Sequence, residues 1–372
     1  MNTVPPQWRI VLSNLNFIQK TELFTYSGTN CIRNDYYHND CQLCVEICPE
    51  NAFHIVRNKL TLYSNECIGC AACMGSCPTE ALSLVSFDAN AYVASFKENE
   101  EKLLSCKKST TCLGAFDAHH YIAMALMSEE APLCNLAHCA DCALNKDKKV
   151  ETFIRLEIDK ANKFLEACKA KNLLEIREEK PEENAKRMLF KTAFAKVKNA
   201  ASESEIKTIA MTQAYQKNNH GAVPLKFLAF KNAIRENIQK LEKTSHESGF
   251  GLFTKKEISF KDCTNCGDCT QFCPTEALIS TKNKQGINFN IGNCISCGIC
   301  NDICKTNAII DMDTIDLVDF AYDRGVELVY YEMVMCHECR CPYPYRGGDP
   351  ICDRCADFKE DFSHVFTMAK DL

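Results

Sequence analysis

No run of 18 apolar residues occurs anywhere in the chain, so a membrane-spanning helix is not expected. Residues 1–20 lack a basic segment followed by an apolar one, and they carry no twin arginine. The expected location is therefore cytoplasmic, where thiols stay reduced. Glycine is scarce, at 14 residues, and no G-x-G-x-x-G or phosphate-cradling loop follows a strand-like run. Gly249-Phe250-Gly251 is too short to count, so no flavin, nicotinamide or nucleotide site is legible. The histidines and carboxylates show no nucleophile–base spacing, which leaves no sign of substrate chemistry carried by the chain itself. An excess of positive charge is also missing. Lys and Arg total 43 against 49 Asp and Glu, a net charge of −6, which argues against a nucleic-acid partner. The Lys-rich stretches are interleaved with Glu and Asp and read as solvated helix faces.

What the chain has is cysteine: 27 in 372 residues. Most sit two or three residues apart, the spacing of metal ligands rather than of a secreted disulfide scaffold. They fall in blocks, at 31–77, 106–168, 263–304 and 336–355, with none between 181 and 258. Two of the blocks repeat. CMGSCPTEALSL at 73–84 returns as CTQFCPTEALIS at 269–280, so one small unit is present twice.

Three segments carry C-x2-C-x2-C-x3-C: Cys67, Cys70, Cys73 and Cys77; Cys263, Cys266, Cys269 and Cys273; Cys294, Cys297, Cys300 and Cys304. A 4Fe–4S cube needs one soft donor per iron, and three thiolates on one short loop reach three corners. The fourth, usually followed by proline, serves the neighbouring cube in two-cluster modules. Pro78 and Pro274 follow the pattern and Lys305 departs from it. Zinc sites instead tend to pair two separate C-x2-C knuckles.

The first segment is irregular: Cys41, Cys44 and Cys48 lack a cysteine at 38, where His38 stands. Three readings are open. Cys31 loops back as the missing ligand, His38 ligates through imidazole, or only three ligands exist around a 3Fe cluster or an open iron. With crossed ligation and Cys31, the sets become Cys31, Cys41, Cys44 and Cys77; Cys67, Cys70, Cys73 and Cys48; Cys263, Cys266, Cys269 and Cys304; Cys294, Cys297, Cys300 and Cys273.

These motifs resemble the bacterial two-cluster ferredoxins, here duplicated as in a polyferredoxin. The resemblance covers two stretches of about 55 residues each. It implies the ferredoxin arrangement of short hairpins and helical turns around two cubes, and one-electron transfer between redox partner proteins.

Between the modules, Lys102–Cys106 and Ala131–Ala137 read as short strands, Leu113–Leu126 as a helix, and Ile154, Ile158, Ala161, Leu165 and Cys168 as one face of another. Parallel strands would bring Cys106, Cys112, Cys139 and Cys142 to one carboxyl edge, where open α/β sheets place their sites. A fifth cluster (2Fe–2S or 4Fe–4S), a zinc or free thiols are the readings, with Cys134 and His138 near enough to substitute. The layout resembles the small iron–sulfur subunit linking hydrogenase to heterodisulfide reductase in methanogens, which implies 2Fe–2S. Cys168 reads as a buried core thiol. At the C-terminus, Cys336, Cys339, Cys352 and Cys355 form two knuckles that suit a structural zinc in a ribbon-like tail, with a rubredoxin-type iron as the rival. Cys341 is a spare or replaces Cys339, and His337 is expected to be exposed.

The expected fold is α+β: a two-cluster ferredoxin-like module at 1–90, a small α/β domain at 91–180, a helical connector at 181–258, a second two-cluster module at 259–315 and the zinc-ribbon-like tail at 316–372. The expected function is single-electron transfer through four 4Fe–4S clusters. The alternatives are an accessory or maturation factor for a molybdenum or tungsten oxidoreductase, and an iron–sulfur redox sensor.

Overall fold

A computed structural model describes residues 18–20, 24–36, 38–108, 110–145, 147–178, 223–247 and 249–362. Most of the expected connector, residues 179–222, lies outside them. The architecture is mixed, with short strands and helices throughout, and no described helix is long and apolar enough to cross a membrane.

The two repeats fold alike. In the first, strand Phe24–Ser27 pairs antiparallel with Leu82–Leu84 and encloses the hairpin Phe53–Val56/Lys59–Leu62 and the short helices Leu43–Ile47 and Ala72–Ser76. In the second, Lys255–Ile258 pairs antiparallel with Ile309–Met312 around the hairpin Leu278–Ser280/Gly286–Asn290 and the helices Asp268–Gln271 and Ile299–Ile303. The first strand of the second repeat thus lies in the stretch expected to be connector. A further strand, Gly325–Tyr330, extends the second hairpin.

The middle segment forms a three-stranded parallel sheet of Leu103–Leu104, Leu133–Asn135 and Glu175–Arg177. The expected helices appear as Ala118–Met127 and Lys149–Ala167, the first preceded by a 3-10 turn at Leu113–Ala115. Asp117 caps Ala118–Met127 by accepting from His120 N–H, while His120 returns a bond to the cap. Capping residues of this type satisfy the orphan donors of a helix start.

The middle sheet and the first repeat share one core. A Cβ built on Gly75 would lie 2.4 Å from the carbonyl oxygen of Gly114 and 2.9 Å from that of Phe116. Both obstacles are backbone, so a side-chain rotation cannot relieve them. A Gly75→Ala variant should therefore lose about 1–3 kcal/mol through overpacking, although alanine is the better helix former by about 1 kcal/mol. Chemical unfolding at matched metal content measures this, and an unchanged or raised midpoint would show that the contact is not tight.

The helix Leu225–Asn237 binds the parts together. Its Phe227 and Phe230 meet His119, Phe320, Phe164 and Phe253, with Phe253 and Phe320 stacked at 4.1 Å. Offset and edge arrangements of this kind add to the area that aromatic rings bury. The reading of the Lys-rich stretches as solvated faces fails here: Lys226 and Lys231 are 2% and 4% exposed. Lys226 Nζ reaches Asp117 Oδ2 at 2.6 Å and the Cys77 carbonyl oxygen at 2.7 Å. Lys231 Nζ reaches Asp323 Oδ1 at 2.5 Å and the Gly292 carbonyl oxygen at 3.0 Å. A buried ammonium needs such partners, and the sequence places them far away along the chain. The two repeats also touch directly, through Tyr36 and Phe272, whose rings are 5.4 Å apart.

Candidate functional site: the cysteine quartets

Each regular C-x2-C-x2-C loop owes its curvature to two left-handed residues flanking the second cysteine. They are Gly69 and Ala71, Asn265 and Gly267, and Ser296 and Gly298. Positive φ turns the chain back on itself, so three sulfurs point inward from one loop; at Ala71, Asn265 and Ser296 it is held by non-glycine residues despite the steric cost. The corresponding residues of the irregular segment, Asp40 and Gln42, are not in this conformation.

The fourth cysteine is held the same way in all four half-repeats. The N–H groups of Ala52, Ala81, Ala277 and Ala308 donate to Sγ of Cys48, Cys77, Cys273 and Cys304 at 3.2–3.3 Å. Asn51, Glu80, Glu276 and Asn307, one residue earlier, all take positive φ to aim that donor. Lys305 in place of proline does not disturb the turn. Threonine hydroxyls add a second contact at Cys77, Cys273 and Cys304, at 3.7–3.8 Å.

In each repeat, sulfurs from its two cysteine loops lie close enough to act on one another. Burial raises the Cys44 thiol, and the charges of Cys77, Cys31 and Cys41 raise it further. Cys41 likewise feels Cys77 and Cys31. Cys73 is raised by burial and then by Cys70, Cys44, Cys67 and Cys48, so Cys44 stands between the two sets. In the second repeat, burial pushes Cys269 up to about 12, assisted by Cys300, Cys263, Cys266 and Cys304. Cys297, also pushed up to about 12 by burial, feels Cys294, Cys273 and Cys300. Four thiolates in a buried pocket repel one another and are costly unless a cation or cluster neutralises them.

At the irregular site Cys31 is buried with Cys44 and Cys77, and Cys41 is partly buried, whereas His38 is exposed. Burial raises the Cys31 thiol, opposed by a hydrogen bond from the Tyr26 hydroxyl and by the backbone N–H of Asn34. Tyr331 lies beside Cys263, its hydroxyl donating to the Phe260 carbonyl at 3.1 Å. Sequence reasoning missed both tyrosines. Neither lies within the cysteine spacing: Tyr26 sits on the strand Phe24–Ser27, and Tyr331 directly follows the strand Gly325–Tyr330.

The middle cysteines also converge. Burial pushes Cys112 up to about 12, with Cys70, Cys139 and Cys106 adding to it. Cys139, pushed up to about 11, feels Glu151, Cys106 and Cys142. The quartet therefore lies beside the first repeat, next to Cys70. Cys134 is fully buried, and burial is what raises its thiol, to about 12. Cys168 is fully buried with its sulfur 3.5 Å from His246 Nε2, in accord with a core thiol.

The tail differs in scale. The sulfurs of Cys336, Cys339, Cys352 and Cys355 all lie within 4.8 Å of one another, and among the described residues no other group of three such donors closes to that distance. Cys339 and Cys352 are 3.7 Å apart, close to the ~3.8 Å that four thiolates at about 2.3 Å from one tetrahedral zinc would show. Burial works against ionising Cys336, but the N–H groups of Cys339, Cys352 and Glu338 outweigh it and bring the thiol down to about 6. Cys341 is exposed and outside this group, its carbonyl accepting from Cys336 N–H; His337 is exposed as expected. Among the described residues, the sulfurs of the other quartets do not close to that distance.

The family model of the 4Fe-4S dicluster domain matches the chain twice, at residues 39–82 and 262–309. The matches fall within the two repeats, and the first begins downstream of Cys31. No curated protein matches the chain.

Proposed function

We propose that the chain carries single electrons between redox partner proteins through four 4Fe–4S clusters. The ligand sets are Cys31, Cys41, Cys44 and Cys77; Cys48, Cys67, Cys70 and Cys73; Cys263, Cys266, Cys269 and Cys304; and Cys273, Cys294, Cys297 and Cys300. The observation that carries this reading is the repeated gathering of four sulfurs from two loops, each fourth sulfur held by an alanine N–H. Each cluster would supply a one-electron valence change. The protein orients the thiolates, excludes water and sets the charge around them.

Cys106, Cys112, Cys139 and Cys142 make a fifth site. Their sulfurs do not close around one ion, which favours an iron–sulfur centre over zinc. The compact tail quartet favours structural zinc. As units, the first module lies at 1–90 with the α/β segment at 91–180, followed by a connecting segment to 254, the second module at 255–315, which takes in the strand Lys255–Ile258, and the tail at 316–372.

Metal and sulfide analysis of protein prepared without oxygen tests this. Four cubes require about 16 iron, a 2Fe–2S fifth centre about 18 and a fifth cube about 20, with one zinc in the tail. Dithionite should deliver about four electrons to the four cubes. A colourless preparation with zinc in the repeats would refute electron transfer.

A further inference from the structure

The two repeats differ at one structurally matched buried position. Ser27 N–H donates to the Ala81 carbonyl at 2.8 Å, and Ser259 N–H donates to the Ala308 carbonyl at 2.8 Å. From this common point the strands run in register: Phe24 lies opposite Leu84, and Lys256 opposite Asp311. Phe24 and Lys256 are thus equivalent, and both are buried, at 1% and 2% exposure. The first repeat places an apolar ring where the second places an ammonium.

Lys256 lines the same cavity as Cys273, Cys294, Cys297 and Cys300. Its Nζ donates to Asn301 Oδ1 at 2.7 Å and pairs with Asp311. A buried ammonium needs such partners, and the Asn301 amide oxygen and the Asp311 carboxylate supply them. The side chain of Asp311 is 53% exposed, so water screens the counter-charge more than it screens the buried ammonium.

We propose that Lys256 makes the cluster held by Cys273, Cys294, Cys297 and Cys300 easier to reduce than its counterpart held by Cys48, Cys67, Cys70 and Cys73, so that electrons collect in the second repeat. This rests on reading both quartets as 4Fe–4S sites. The step is a one-electron reduction: an external one-electron donor is oxidised, the cluster gains its electron, and no bond to Lys256 forms or breaks. A fixed positive charge favours the state with the extra electron. At an effective dielectric of about 20 and a separation of about 10 Å, one unit charge shifts the equilibrium about tenfold.

The test is a dithionite titration of the full-length protein, prepared without oxygen and followed by electron paramagnetic resonance, with iron content measured in each sample. Lys256→Met should move one reduction wave to lower potential by about tenfold in the equilibrium constant, about 59 mV for one electron. Lys256→Arg should restore it. Asp311→Asn, at a half-exposed position, should move the same wave upward by a smaller amount. Opposite shifts from the two partners of one ion pair report charge, which a merely structural role would not produce. Unmoved waves at wild-type iron content, or shifts in the same direction, overturn the inference and leave the cluster assignment standing. Iron-free wild-type protein would instead overturn the assignment, and this inference with it.

Discussion

Replacing Cys31 by serine should reduce electron uptake by about one equivalent and lower the iron content by up to about four atoms, while His38→Ala should leave both unchanged. The argument starts from position. Cys31 is buried, and its charge acts on both Cys41 and Cys44. His38 is exposed in the loop between them. Serine is nearly the same size, so the packing around Tyr26 and Asn34 should persist and the change should report ligation. A hydroxyl is a poor donor for this soft metal site. Iron and sulfide analysis with electron paramagnetic resonance of the dithionite-reduced protein separates the two readings. Loss of a cluster in His38→Ala with full loading in Cys31→Ser would assign the ligand to the imidazole.

Much of the site was legible because its chemistry is local. Cysteines two and three residues apart on one loop fix where three sulfurs go, and the repeated CPTEAL announces the turn that presents the fourth. The middle strands and helices were legible from apolar runs and 3.6-residue spacing, and the carboxyl edge they share does gather Cys106, Cys112, Cys139 and Cys142. The strand Glu175–Arg177 was not read, because it is short and exposes Glu175 and Ile176, leaving no apolar pattern. Tyr26, Tyr331 and Lys256 escaped for another reason. Each reaches its cysteines by strand pairing or chain return, and no spacing rule connects them. The buried lysines of Leu225–Asn237 were misread because charge along a helix ordinarily marks water. Here the partners come from residues more than 60 positions away.

Those lysines lead to the second large effect. Lys226→Met should destabilise the protein by about 3–5 kcal/mol, since it leaves Asp117 buried without its strongest counter-charge. Burial alone would raise the Asp117 carboxyl, but Lys226, His119 and His120 hold it well below the usual carboxylate range. The lysine also joins three parts of the chain: it hydrogen-bonds Gly75 and Cys77 of the first repeat, pairs with Asp117 at the head of Ala118–Met127, and itself begins Leu225–Asn237, whose N-terminal N–H groups bind Glu80. Asp117→Leu alone should cost a similar amount, because it strands an ammonium against two carbonyls. The double variant should recover much of the loss, since apolar residues of similar volume often replace a buried ion pair with little penalty. Chemical unfolding of the four proteins at matched iron content closes the cycle. A coupling energy of about 1–3 kcal/mol is expected for groups in direct contact. Additivity within about 0.5 kcal/mol would mean that the two side chains act independently, and that the aromatic cluster of Phe227, Phe230 and Phe320 holds the helix in place without help from the charge.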